Sequence, residues 1–243
     1  MKKKKDRSYL QNEFQALNHP VKLLVFSQDR ECQYCRETRE LAEELSTLSP
    51  KITTETMIFA PESAAAKQYN VDKIPAIVLL ADGPQPVDYG IRFYGIPSGY
   101  EFSTLVEDMM MVSAGDSGLA PDLKAQLSQL TQPVHMQVFI TPTCPYCPQA
   151  VHLAHQMAME SPHVRADMVE AIEFPHLSNK YQVMGVPRTV AVAPLVPSTA
   201  PPGVTRTSPA RSVSLPAASD WGARQRSRHG AGSARPLFQF CHP

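Results

Sequence analysis

Two pairs of cysteines have the spacing that dithiol chemistry requires. Residues 32–35 read Cys-Gln-Tyr-Cys and residues 144–147 read Cys-Pro-Tyr-Cys, while Cys241 stands alone near the end of the chain. In such a pair one thiolate attacks a substrate disulfide, and the second thiol resolves the mixed disulfide that forms. The spacing therefore predicts thiol–disulfide exchange at two centres. We expect Cys32 and Cys144 to be the nucleophiles, and Cys35 and Cys147 to be the resolving thiols.

The nucleophilic cysteines need an environment that favours the thiolate. A free cysteine, with a pKa of about 8.5, supplies little thiolate at neutral pH. The start of a helix lowers that pKa, because unpaired backbone N–H groups and the positive end of the helix dipole favour the anion. We therefore expect Cys32 and Cys144 in the first turn of a helix, with Pro145 at the first helical position of the second.

An internal repeat relates the two cysteine pairs. The first cysteines are 112 positions apart (144 − 32), and residues 69–75 match residues 181–187 at the same offset. Upstream of the pairs the matching segments 20–26 and 133–139 are offset by 113, so one residue is lost in the intervening loop, where length changes are tolerated. The pattern indicates a tandem duplication.

Each copy shows the same order of helical and extended patterns. An amphipathic helix precedes a short apolar strand, and the cysteine pair then opens a second helix. Another strand, a short helix and a third strand follow. The predicted strands are 21–27, 52–58 and 76–80 in the first copy and 134–140, 164–169 and 189–193 in the second, with short helices at 64–69 and 176–181. A strand at 89–94, a turn at 95–99 and a closing helix at 101–112 complete the first copy. This alternation predicts an α/β class.

The order of elements, with a Cys-x-x-Cys pair where a strand leads into a helix and a proline 43 residues after its first cysteine, resembles the thioredoxin fold. Two such units in one chain resemble the protein disulfide oxidoreductases, which are glutaredoxin-like tandem proteins. The resemblance covers about residues 8 to 193. It implies two units, each with a mixed central sheet flanked by helices. It also implies redox-active disulfides without a further cofactor, protein disulfides as substrates, and a reductase or dithiol donor as partner.

The same resemblance implies roles for residues outside the cysteines. Pro75 and Pro187 correspond to the cis-proline that faces the dithiol in this family, and Ile74 and Val186 precede them as substrate contacts. The backbone there would pair with an extended substrate segment. The residues between the cysteines would set the redox potential, and the second centre would be the main exchange site. These tuning residues are Gln33, Tyr34, Pro145 and Tyr146.

The repeat predicts where the domains end. We expect a first unit at 1–114, a linker at 115–119 and a second unit at 120–194 that lacks its C-terminal strand and helix. Residues 195–243 hold six arginines, one aspartate and neither lysine nor glutamate, and Pro, Ser, Ala and Gly are abundant. This composition predicts disorder. Our hypothesis is an out-of-frame or altered C-terminus; a basic tail that binds an acidic partner or membrane surface is the alternative.

Composition excludes several classes of protein. The formal net charge is zero, which gives no indication of nucleic-acid binding, and no apolar run reaches the roughly 18 residues of a membrane span. Residues 1–7 resemble the basic start of a signal peptide, but Gln11, Asn12 and Glu13 follow where its apolar region should lie. We therefore expect a cytoplasmic protein with neither membrane nor nucleic-acid partners.

Three other functions remain open from the sequence. The four paired cysteines could bind one zinc ion, although 108 residues separate the pairs and zinc ribbons usually have about 15–20. His152 and His155 could assist one pair, but their spacing more often marks a solvated helix face. The chain could also be a thioredoxin-fold binding module. Finally, it could donate electrons to a peroxidase, like the tandem-thioredoxin domain of alkyl hydroperoxide reductase flavoproteins.

Overall fold

A computed structural model describes residues 4–192. One mixed sheet of seven strands contains every strand in this range, with helices on both faces. The helices are α1 (Lys4–Glu13), α2 (Cys35–Ser46), α3 (Ala64–Gln68), α4 (Glu101–Ala114), α5 (Pro121–Leu127), α6 (Cys147–Glu160) and α7 (Pro175–Lys180). The strands are β1 (Val21–Ser27), β2 (Ile52–Ile58), β3 (Ala76–Ala81), β4 (Val87–Tyr94), β5 (Val134–Ile140), β6 (Val164–Glu170) and β7 (Arg188–Val192).

The central strands are apolar on both faces. β1 reads Val-Lys-Leu-Leu-Val-Phe-Ser and buries six of its seven residues, and the first five residues of β3 are buried as well. Such continuous apolar runs suit strands that are covered by helices on each side. One face packs against α1, α2, α4 and α6, and the other face packs against α3 and α7.

The topology brings the two cysteine pairs to one edge of the sheet. The strand order is β2-β1-β3-β4-β6-β5-β7, and β4 pairs with β6 in parallel. Because β3 is antiparallel to both β1 and β4, and β5 is parallel to β6, β1 and β5 run in the same direction. Four strand spacings of about 4.8 Å separate them, so the two pairs lie about 19 Å apart at the same edge.

The α/β class and the predicted order of elements are confirmed. β1, β2 and β5 have the predicted bounds, and the order β-α-β-α-β occurs twice, over 21–81 and 134–192. None of the helices in the described range is long and apolar enough to cross a membrane. The predictions for residues 195–243, including the disorder, the altered frame and the missing strand and helix, lie outside the described residues.

Candidate functional site

Each cysteine pair is joined as a disulfide. The Cα–Cα distances are 5.4 Å for Cys32–Cys35 and 5.5 Å for Cys144–Cys147, in the usual range for such bridges. The second cysteine of each pair is fully buried. The first is the more accessible, since Cys32 is half-buried and Cys144 is 8% exposed. An incoming disulfide therefore meets Cys32 or Cys144 first.

The structure corrects the predicted helix starts. α2 begins at Cys35 and α6 at Cys147, so the first cysteine of each pair lies in the loop three residues before the first helical residue. The prediction that Pro145 occupies the first helical position is wrong, because Pro148 lies in the first turn instead. Both loops still precede a helix N-terminus, where the first backbone N–H groups have no partner within the helix.

Both predicted prolines stand at the ends of strands that lead into the disulfide loops. The Ile74–Pro75 and Val186–Pro187 peptide bonds are cis. In the antiparallel pairing of β1 with β3, Phe26 lies opposite Ala76, and the same register puts Pro75 at the end of β1. Phe139 lies opposite Arg188 in the matching pair of strands, so Pro187 stands at the end of β5. Each proline is therefore next to the loop that carries its disulfide.

A buried carboxyl group lies next to the second disulfide loop, and sequence reasoning missed it. Glu101 opens α4 with no exposed surface, and one of its carboxylate oxygens accepts a hydrogen bond from Thr104, at 2.9 Å. The other oxygen has no partner. Burial, together with the nearby charges of Asp108 and Glu107, raises the pKa of Glu101 to about 8 against the opposing Thr104 hydrogen bond.

A backbone hydrogen bond joins the segment before α4 to the loop of the second disulfide. The Tyr100 N–H donates to the Pro142 carbonyl at 3.0 Å, two residues before Cys144. Gly99, at φ +61°, leaves no room for a Cβ beside Pro142, so only glycine permits this approach.

The sequence spacing could have revealed that Glu101 is buried, because it falls at i−4 and i−8 from the buried Leu105 and Met109 on the apolar face of α4.

A different set of carboxyl groups lies on the side of the first disulfide. The Glu173 carboxylate accepts from the Ile96 N–H at 2.8 Å, and the Glu170 carboxylate accepts from the Glu173 N–H at 2.5 Å. Burial, together with the charges of Glu170 and of Glu37 in the first turn of α2, raises the pKa of Glu173 to about 7 against the opposing Ile96 hydrogen bond. Burial also raises the pKa of Glu170.

The prediction of a solvated face for His152 and His155 is wrong. His155 is fully buried and His152 is about three-quarters buried, and both Nδ1 atoms lie within 2.6 Å of the Asp108 carboxylate of α4. Burial disfavours the Asp108 charge, but the two histidines outweigh it and lower its pKa. His155 shares the apolar face of α6 with Cys147 and Val151, and that spacing could have revealed its burial.

Metal binding finds no support in the described range. The roughly 19 Å between the two pairs is too long for four thiolates to share one zinc ion, since each Zn–S bond is only about 2.3 Å. Within residues 4–192, no group of three or more His, Cys, Asp or Glu side chains is arranged to hold a metal ion.

Comparison with known proteins gives consistent matches. The family described as a thioredoxin domain matches residues 134–192. The F subunit of alkyl hydroperoxide reductase in Pseudomonas putida is 25% identical over 181 residues, which cover 74% of this chain and 32% of the relative. Its Staphylococcus aureus counterpart is 28% identical over 156 residues, covering 63% and 27%. The chain therefore spans about a third of the length of these curated relatives.

Two solved structures are similar over most of their own length. The Enterococcus faecalis alkylhydroperoxide reductase protein AhpF, a C503A mutant, is 33% identical, with a TM-score of 0.70 and coverage of 78% of this chain and 89% of that one. A protein disulfide oxidoreductase from Aeropyrum pernix k1 is 31% identical, with a TM-score of 0.71 and coverage of 78% and 83%.

Proposed function

Since the chain belongs to the thioredoxin-fold disulfide oxidoreductases, we propose that it reduces or exchanges disulfides of other proteins through its two Cys-x-x-Cys centres. The observation that carries this proposal is the repeated arrangement at one edge of the sheet. At each centre, the more accessible cysteine precedes a helix, a fully buried cysteine opens that helix, and a cis-proline stands at the end of the strand before the disulfide loop.

The reaction needs two steps at each reduced centre. The thiolate of Cys32 or Cys144 attacks one sulfur of the substrate disulfide, forming a mixed disulfide and releasing one substrate thiolate, which takes up a proton. The buried Cys35 or Cys147 then loses its proton and attacks the mixed disulfide. The second substrate thiol leaves, and the centre is oxidised to the disulfide while the substrate gains two electrons and two protons.

Glu101 is the candidate proton acceptor for the second centre. A thiol with a pKa of about 8.5 and a carboxyl group whose pKa is about 8 are closely matched, so a proton moves between them at little cost. The carboxyl group lies at the start of α4, one residue after the hydrogen bond that joins Tyr100 to the Pro142 loop. This placement supports the second dithiol as the main exchange site.

Substrate would bind beside the prolines. An extended segment would pair with the backbone at Ile74 or Val186, next to Pro75 or Pro187, in the manner of an added strand. The residues between the cysteines, Gln33 with Tyr34 and Pro145 with Tyr146, would give the two centres different potentials. We propose no cofactor beyond the disulfides. A reducing compartment such as the cytoplasm, with a dithiol donor, would restore the reduced state.

A second candidate function rests on the curated relatives. Because these relatives are components of alkyl hydroperoxide reductase, the chain could pass electrons to a peroxidase rather than to diverse protein disulfides. The two functions share the same dithiol chemistry. They differ in the substrate that is reduced fastest, since a dedicated donor would reduce a peroxidase disulfide far faster than an unrelated protein disulfide.

Reduction of insulin disulfides tests the proposal. The wild type and the Cys32→Ser, Cys144→Ser and doubly substituted variants are assayed with dithiothreitol as the terminal reductant. We expect the double variant to fall to the rate of dithiothreitol alone, because neither nucleophile remains. Full activity in that variant would refute dithiol catalysis. Faster turnover with an oxidised peroxidase than with insulin would favour the second function.

A further inference from the structure

We propose that the Cys144 centre selects disulfides flanked by apolar, extended polypeptide, and that Met184 and Tyr146 are the contact residues that give this preference. The inference rests on the proposed function and names the substrate class of one of its two sites. It concerns side chains on the loops that border the disulfide, rather than the backbone pairing at Val186.

Two large apolar side chains are exposed on these loops. Met184, three residues before Pro187, is 95% exposed, and Tyr146, between the two cysteines, is 71% exposed. The remaining residues of the bordering segments, 141–147 and 182–187, include no charged side chain. An exposed methionine and tyrosine around a buried dithiol give a substrate apolar area to cover, and methionine adapts to side chains of varied shape.

The matched loops of the first unit are charged. At the position of Met184 the repeat has Asp72, whose carboxylate pairs with the Lys73 ammonium at 2.6 Å. The same ammonium lies 3.6 Å from the centre of the Tyr94 ring, so it is held in place. Tyr34, at the position of Tyr146, is only half-exposed and accepts a hydrogen bond from Gln33 at 3.2 Å. Three more charged residues precede the first disulfide: Asp29, Arg30 and Glu31.

The contrast decides which substrate each centre accepts. An apolar segment laid across the first centre would desolvate the Asp72–Lys73 pair and its neighbours, and desolvation of charge is costly. The same segment laid across the second centre would cover Met184 and Tyr146 and desolvate no charged side chain on either bordering loop. The uncharged border therefore identifies an apolar segment of a disulfide-bearing protein as the occupant.

A reciprocal exchange of the matched residues tests the proposal. Met184→Asp and Met184→Leu are made in a Cys32→Ser/Cys35→Ser background, where only the second centre can react, and Asp72→Met in a Cys144→Ser/Cys147→Ser background. The substrates are two disulfide-cyclised peptides with Leu and Val or with Glu and Lys beside the cystine. Each kcat/KM is divided by that for hydroxyethyl disulfide, which is too small to span the loops.

We expect Met184→Asp to lower the normalised kcat/KM for the apolar peptide about tenfold, mainly through KM, and Met184→Leu to keep it within about twofold. Asp72→Met should raise the value for the first centre. Equal values for both peptides at the second centre, or no effect of Met184→Asp, would overturn the inference. A wild-type dimer in sedimentation that the Met184→Asp variant no longer forms would also overturn the inference, since a second copy of the chain would then cover the loop.

Failure of the proposed function has a different signature. If the protein with both dithiols intact and reduced does not react with hydroxyethyl disulfide or with either peptide, then dithiol exchange itself is wrong, and the inference fails with it. If hydroxyethyl disulfide and both peptides react, and the peptides are not discriminated, only the inference fails.

Discussion

The two units bury the same helical pattern to different depths. In α1 and the turn that follows it, Leu10, Phe14 and Leu17 are each at most 6% exposed, whereas their counterparts of the second unit are only half-buried. Those counterparts are Leu123, Leu127 and Leu130. In the first unit the closing helix α4 completes the cover, and the Ser113 hydroxyl donates to the His19 carbonyl at 2.6 Å to join α4 to this segment.

Among residues 4–192, the second unit has no helix that corresponds to α4. A cleft between α5 and α6 is lined by Leu119, Leu123, Leu127, Leu130, Gln126 and Met157, and no helix of residues 4–192 covers it. An amphipathic pattern in the sequence therefore predicts which face turns inward, but the burial of that face depends on what the rest of the chain supplies. The first unit also contributes to the second centre, because Glu101 of α4 follows Tyr100, whose N–H bonds to the Pro142 carbonyl of the second disulfide loop.

The largest expected effect separates the two dithiols. We expect Cys144→Ser to lower insulin reduction by more than about tenfold, to the rate that the first centre sustains alone, because the thiol is the nucleophile of the main centre. Cys32→Ser should lower it by less than about tenfold, since the second centre remains. Single-turnover reduction by each prereduced variant measures this difference. Equal losses would show that the two centres act as one unit, and would end the assignment of a main site.

The contact between α4 and α6 at Asp108 should contribute strongly to the free energy of unfolding. Asp108 of α4 is fully buried, and its carboxylate pairs with the Nδ1 atoms of His152 and His155 of α6. Asp108→Asn removes this carboxylate and leaves both imidazoles without their charged partner. We expect a loss of about 3 kcal/mol in the free energy of unfolding, measured in urea. Asp116→Asn is the matched control, because Asp116 pairs with Lys124 at the surface and should change stability little. If Asp108→Asn lowered the free energy of unfolding as little as Asp116→Asn, the stabilising role of the α4–α6 contact would be contradicted.

A matched pair of leucines tests the difference in burial. Leu17→Ala should cost about 3 kcal/mol, because the side chain is 2% exposed and its loss leaves a cavity. Leu130→Ala, at the equivalent position of the second unit, should cost about 1 kcal/mol, because solvent already reaches that side chain. Chemical denaturation of the full chain gives both values. Equal costs would mean that Leu130 is covered in solution, and the contrast between the units would disappear.

Local patterns in the sequence could predict most of the fold and the cysteine chemistry. Strands such as Val21–Ser27 are continuous apolar runs, and the repeat at an offset of 112 identified equivalent residues in both copies. The pairing of β4 with β6, and hence the single sheet, could not be predicted, because it depends on contacts between distant segments. Glu101, Asp108 and His155 were missed for a related reason: each is a polar residue on an apolar helix face, and Asp108 and His155 find their partners on another helix.

Glu101→Gln has the smallest predicted effect on the rate of disulfide reduction, and it can be followed in both activity and stability. If Glu101 accepts the proton of the second centre, the glutamine variant should reduce substrate about tenfold more slowly above pH 8, and the rise in wild-type rate as the carboxyl group ionises near its pKa of about 8 should vanish. The single-site background Cys32→Ser/Cys35→Ser isolates this effect. Glu62→Gln, at an exposed carboxyl group that pairs with Lys67 on the surface, is the control.

Stability provides an independent measure of the same titration. Burial raises the folded-state pKa of Glu101 from 4.5 to about 8, so between these values the folded chain keeps a proton that the unfolded chain has lost. The free energy of unfolding of the oxidised protein should therefore fall as the pH rises from about 5 to about 8, and then level off. Glu101→Gln should remove this part of the decline. An unchanged rate profile with a flattened stability profile would mean that Glu101 is a buried acid without a part in the exchange.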